Sequence, residues 1–260
     1  VNSSTISSLT VSADAKLNIA GGETLSGSTE IAANKTLSLI GTGTFGSALT
    51  LEGTLEAGAN LKVSGLISVG NNSTISIPDA NTTLTYSGGD LKVETHILSL
   101  AGSGTFSNNA KSPFVVGGEG SGLYITGNGT VEGPIRINLS TLKASGSPTI
   151  SGDITQSDDA AIEVSSNQTL SYSGASLNLG AKKLTLKGEG IFNNSNALVL
   201  NDADSLLSLE GVSTIGGVRA TVNANSGKGI QVMESATLGS FDLSATSYLD
   251  VAENKTVNGP

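Results

Sequence analysis

The chain has 260 residues, of which 34 are Gly, 3% are aromatic and 13% are charged, a charged share about half that of an ordinary globular chain. Its formal net charge of -9, from 13 Lys plus Arg against 22 Asp plus Glu, argues against nucleic acid or an anionic membrane as partner, because both need clustered cations. The absence of Cys excludes a disulfide framework and thiolate metal sites.

With 37% apolar residues spread evenly, the chain can bury enough surface to fold, and no linker divides it. No apolar run approaches the ~18 to 20 residues that span a bilayer, so direct membrane insertion is not expected. The chain opens on Val1 rather than Met, which reads as a mature form or a piece of something longer, with any export signal outside it.

Short alternating segments run the whole length: Leu9/Val11, Leu17/Ile19, Leu37/Leu39, Leu49/Leu51, Leu61/Val63, Ile75/Ile77, Leu84/Tyr86, Leu91/Val93, Leu123/Ile125, Ile162/Val164, Leu177/Leu179, Leu184/Leu186, Leu207/Leu209 and Leu249/Val251. Period-2 alternation between Gly, Ser, Asn and Asp is the half-buried strand pattern, and no window carries a helical stripe. The spacing is too short for crossover helices, and the Asn-Gly hairpin signal is nearly missing.

Self-comparison then favours a stack over a sandwich. Residues 81–111 align without a gap on 167–197, placing Tyr86 on Tyr172 and Phe106 on Phe192. Ile75/Ile77 recur as Ile162/Val164 and Leu249/Val251, Leu123–Gly133 as Leu207–Gly217, and Thr36–Phe45 matches the segment ending at Phe106. The expected fold is all-β: a parallel β-helix (β-solenoid), right-handed, with three short strands per coil, four coils per repeat of about 87 residues and about eleven coils in all, roughly 50 Å long at ~4.8 Å per rung. It is expected as one solenoid over 1–260 within a longer array, with a partial repeat 1–50, repeats 51–137 and 138–223, and a partial repeat 224–260.

A catalytic residue should stand in one copy where the others carry something inert. His96, the single histidine, has Lys182 as counterpart and is expected at a solvated strand entrance. Asp158 and Asp159 look like the carboxylate pair of glycoside hydrolysis, yet correspond to Asn71/Asn72 and to Ala245/Thr246, which reads as solvated loop acids. Asp202 and Asp204 replace Gly118 and Gly120, and two acids without a third make a thin calcium site. Arg136 and Arg219 recur after Gly-rich turns, as structural residues do. Gly117–Ile125 lacks the Asp of a calcium nonapeptide, no phosphate loop is present, and of the Thr-x-Thr ranks an ice-binding face would need, only Thr42/Thr44 stands out. No catalytic residue, metal or cofactor is therefore expected. Asn34, Asn81, Asn128, Asn167 and Asn254 open Asn-x-Thr sequons, as does Asn72. Asn in a left-handed bend before a strand-opening Thr explains them by folding alone; glycosylation would show as excess intact mass.

The coils LSLIGTGTF (37–45), LSLAGSGTF (98–106) and LTLKGEGIF (184–192) resemble the β-helical stalks of large bacterial surface adhesins, the filamentous-haemagglutinin-like and autotransporter-passenger class. The resemblance covers the whole chain through repeat style, with no Asn-Pro-Asn-Gly secretion motif and no autotransporter barrel. It implies an extracellular or cell-surface rod that is structural or adhesive, with self-association, a host receptor or a surface glycan as partner. A polysaccharide lyase or hydrolase on the same fold, and a trimeric phage or viral fibre, are the alternatives.

Overall fold

The computed structural model describes residues 3–5, 7–109, 112–243 and 248–259. Those residues form 35 short strands and no helix. Strands rotate around three faces: Ser3–Thr5 opens the first sheet, Leu9–Val11 the second and Ala15–Asn18 the third, and Thr24–Ser26 returns to the first one coil on. Rungs pair in parallel, as Leu61–Val63 does with Thr83–Tyr86 and Ser73–Ile77 with Ile97–Gly102. The third sheet has 12 rungs, hence about eleven coils, and at ~4.8 Å per rung the stack is roughly 50 Å long. The chain is an all-β parallel solenoid with about three strands per coil, as its alternation predicts.

The two-residue period turns alternate side chains inward, and each coil covers the apolar edge of the next. Leu61, Leu84, Phe106, Val131, Ile150 and Tyr172 climb one inward column of the first sheet, and all are buried. The last coil differs: Leu249 and Val251 are 39% and 37% exposed, although Ile162 and Val164 are fully buried. Among the described residues no rung pairs with their far side.

Three devices close the coils. Gly-x-Gly turns carry the chain from the third sheet to the first, with Gly41, Gly102 and Gly188 at φ 90°, 95° and 91°. Two inward tyrosines brace the turn into the second sheet: the Tyr86 hydroxyl accepts from Ile67 N at 3.4 Å, and that of Tyr172 accepts from Ile154 N at 3.1 Å and donates to Ala175 O at 2.6 Å. Burial pushes both phenols above their ordinary pKa, outweighing those amide bonds. Thirdly, corner Asn and Asp oxygens accept amides of the following coil at or just before a strand, as Asp14 does from Thr36, Asn60 from Thr83 and Asn128 from Ser147, satisfying donors at the corners.

Coils vary from 18 residues, Leu39 to Ala57, to 25, Ile75 to Leu100. The ladder from Ile75 runs through Leu100, Ile125 and Ala144 to Val164, two residues past Ile162, its counterpart by sequence. A slip of two keeps the same face inward. Near the far end, the seven-residue strand Thr214–Ala220 passes straight through a corner and pairs with both Ile191–Asn194 and Leu198–Leu200. The Asn194 side chain spans that corner: its Oδ1 accepts from Gly216 N and Gly217 N, while its Nδ2 donates to Asn196 O and Gly217 O.

On the outer face of the third sheet, Lys143, Glu163 and Lys187 occupy successive rungs, with Lys–Glu distances of 2.8 and 3.4 Å. Burial opposes ionisation of Glu163, but the hydrogen bond and charge of Lys143, with Lys187 behind it, hold the carboxyl below its ordinary 4.5. The same hydrogen bond raises Lys143 above 10.5. The depressed acid therefore stabilises the fold above pH 4.5 and loses that contribution as pH falls through its folded value; the raised base stabilises it below pH 10.5 and loses it as pH rises. Glu163→Gln should cost under about 1 kcal/mol near neutral pH, and urea titrations of the two proteins should converge in strong acid.

Candidate functional site

The acids that look catalytic in the sequence are strand caps. Asp158 Oδ1 accepts from Asp159 N at 2.9 Å, and Asp159 Oδ1 accepts from Lys183 N at 2.8 Å. One repeat earlier Asn71 Oδ1 accepts from Asn72 N at 2.7 Å, and Asn72 Oδ1 from Ile97 N at 2.8 Å. An amide oxygen serves as well as a carboxylate, so ionisation is not what the position uses; the third pair, Ala245/Thr246, lies outside the described residues. Asp159→Asn should leave stability within about 0.5 kcal/mol, whereas Asp159→Ala should cost about 0.5 to 1.5 kcal/mol by removing the bond to the exposed Lys183 amide. Equal losses in chemical denaturation would show that the carboxylate charge matters.

Asp202 and Asp204 fold onto their own turn. Asp202 Oδ1 accepts from Asp204 N, Asp204 Oδ1 accepts from Asn225 Nδ2, and Ser205 N closes onto Asp202 O. Its counterpart is the turn in which Ser121 N and Oγ donate to Gly118 O, within the segment that resembles a calcium nonapeptide. No group of three His, Asp or Glu suited to a metal occurs among the described residues. Arg136 is exposed on the second sheet between Val115 and Thr155; Arg219 stands 3.7 Å from Asp242.

The sequons divide. Asn34, Asn167 and Asn254 adopt left-handed φ of 60°, 61° and 62°, as the folding explanation requires. Asn81 does not, and instead donates through its N–H to Asp79 Oδ1, while Asn72 and Asn128 act as caps. Asn81, Asn167 and Asn254 precede strands of the first sheet but Asn34 precedes one of the third, because the Asn-x-Thr turn suits either corner. All five acceptors retained from the sequence are exposed. The threonine rank also lies elsewhere than Thr42/Thr44: Thr83, Thr105, Thr130 and Thr149 occupy four successive outward rungs of the first sheet, ending at Ser171. Its neighbouring column, Thr85 and Ser107, is broken by Glu132.

His96 is half-buried just before the strand Ile97–Gly102, the strand entrance its sequence predicts. It is not isolated. A groove of about 490 Å³ on the second sheet is lined by His96, Asp90, Lys92 and Glu94 of one coil and by Leu66, Ser68 and Val69 of the coil before. Lys92 stands 3.6 Å from Asp90. A hydrogen bond from Ser112, aided by Lys92, holds the Asp90 carboxyl below its ordinary value. Comparing His96 alone with Lys182 hides this, since Asp90, Lys92 and Glu94 stand where the copy has Ser176, Asn178 and Gly180.

In the copy the corresponding gap is bridged. Asp153, in place of Leu66, accepts from Ala175 N at 2.8 Å, and Gln156, in place of Val69, donates to Lys183 O at 2.6 Å. Leu66 and Val69 can make neither bond, so one coil pair presents a groove where its copy presents a seam. No protein-family model matches the chain, nor does any curated protein or solved structure.

Proposed function

We propose that the protein is a non-catalytic structural or adhesive rod at the cell surface or outside the cell, which spaces, attaches or assembles through its outer faces with its own neighbouring repeats, a receptor or a surface glycan. The observation that carries this reading is the exchange of Asp158/Asp159 for Asn71/Asn72 with the same capping bonds. Selection for the stack explains such positions; selection for acid chemistry does not. The absence of Cys is compatible with export, and the likeness to adhesin stalks supports an extracellular or cell-surface setting.

Incubating the purified protein with a panel of polysaccharides tests it: no release of reducing or unsaturated ends is expected, and sustained turnover would overturn the reading. Electron microscopy should show single rods or end-to-end and lateral assemblies. Discrete trimers by analytical ultracentrifugation would favour a viral fibre instead.

A further inference from the structure

We propose that the groove between Ile67–Val69 and Lys92–Val93 binds a primary alkylammonium group, carried by a lysine side chain of a partner polypeptide or by a small aliphatic amine. Lys92 and Asp90 neutralise one another. Glu94 is exposed and pairs with no cation among the described residues, which leaves one carboxylate free for an ammonium. Leu66, 46% exposed, and Val69 line the same groove and suit a methylene stem, the apolar part of a lysine-like ligand. The lining holds no Trp, Tyr or Phe ring of the kind on which a sugar stacks, and it is not a metal cluster. The formal charge of -9 favours the approach of a cation.

The comparison between copies supplies the second, independent argument. Six positions lining the groove differ between the copies: Leu66 and Val69 stand in place of the bridging Asp153 and Gln156, and Asp90, Lys92, Glu94 and His96 stand in place of Ser176, Asn178, Gly180 and Lys182. The inward Leu91 and Val93 remain apolar as Leu177 and Leu179. The inward packing is thus the same in both copies, and without the two bridging side chains the charged and apolar lining of this coil pair stays open to a ligand.

The chain's single histidine gives one imidazole signal inside the groove, and NMR titration of the whole chain near neutral pH uses it as the probe. Acetyl-Gly-Lys-Gly-amide is expected to shift it with a Kd of about 1 mM, as a weak single-contact site would, while the norleucine analogue leaves it unmoved. Cadaverine shifting it as well assigns the site to amines generally; a shift with the peptide alone assigns it to a polypeptide partner. Glu94→Gln should weaken binding about fivefold, as for loss of one exposed ion pair. Leu66→Asp with Val69→Gln, which restores the bridging residues of the copy, should abolish binding without lowering the melting temperature. No shift with either amine, an equal shift with norleucine, or unchanged affinity in Glu94→Gln overturns the proposal. The rod reading would survive that failure, since turnover and particle shape test it separately.

Discussion

Replacing Phe192 by Ala is expected to remove about 3 to 5 kcal/mol of stability, the range for deleting a buried aromatic that leaves a cavity. Phe192 is fully buried, its ring stacked on Tyr172 at 6.2 Å with the planes 16° apart. Its register neighbours are Leu170 and Ile215. The rigid ladders on either side hold their spacing, so the cavity cannot collapse. The preceding residue is the control: Ile191 points outward between Thr169 and Thr214, 38% exposed, and Ile191→Thr should change stability by under about 0.5 kcal/mol. Because a solenoid's stability is close to a sum of nearest-neighbour terms, hydrogen exchange in Phe192→Ala should accelerate most in the coils of Tyr172 and Ile215. An unchanged melting temperature would remove Phe192 from the core.

Alternation made the strands legible, since Leu-x-Val and Ile-x-Ile turn two side chains inward whatever the sheet. The gapless alignment of 81–111 on 167–197 made the stack legible, because only a repeating coil keeps Tyr86/Tyr172 and Phe106/Phe192 in matching places. What stayed hidden is what depends on unlike coils meeting. Thr83, Thr105, Thr130 and Thr149 are a rank only once coils of different length are stacked, and the slip that sets Ile75 under Val164 leaves no mark on a copy alignment. Asn34 and Asn167 open like sequons in like left-handed bends, yet one precedes a strand of the third sheet and the other a strand of the first, because the same turn chemistry serves two corners. His96 carries no signal of its own in the sequence, because Leu66 and Val69, which give the groove its apolar wall, lie a coil away. The signal was present in the sequence as Leu66 and Val69 against Asp153 and Gln156, but it acquires meaning only when those residues are seen to bridge coils.

Gly102→Ala is expected to cost about 3 kcal/mol or more, and the reason separates two uses of glycine that composition alone cannot. At φ 95° any L side chain is strained by about 1 to 2 kcal/mol. A Cβ there would also lie 2.1 Å from the carbonyl oxygen of Ile77, as at Gly41 it would lie 2.3 Å from that of Ile19 and at Gly188 2.2 Å from that of Val164. Those oxygens belong to the backbone of the coil below and cannot swing aside, so the coils themselves must part. Gly89 isolates the first effect, because its φ is 105° but a Cβ there meets nothing within 4 Å. Gly89→Ala should therefore cost only about 1 to 2 kcal/mol. Measured by chemical denaturation, a clear gap between the two variants assigns the Gly-x-Gly turns of LSLIGTGTF, LSLAGSGTF and LTLKGEGIF to close packing of successive coils. Equal losses would reduce them to backbone conformation, and the recurrence of the motif at the same corner would then need only a turn, not a stack.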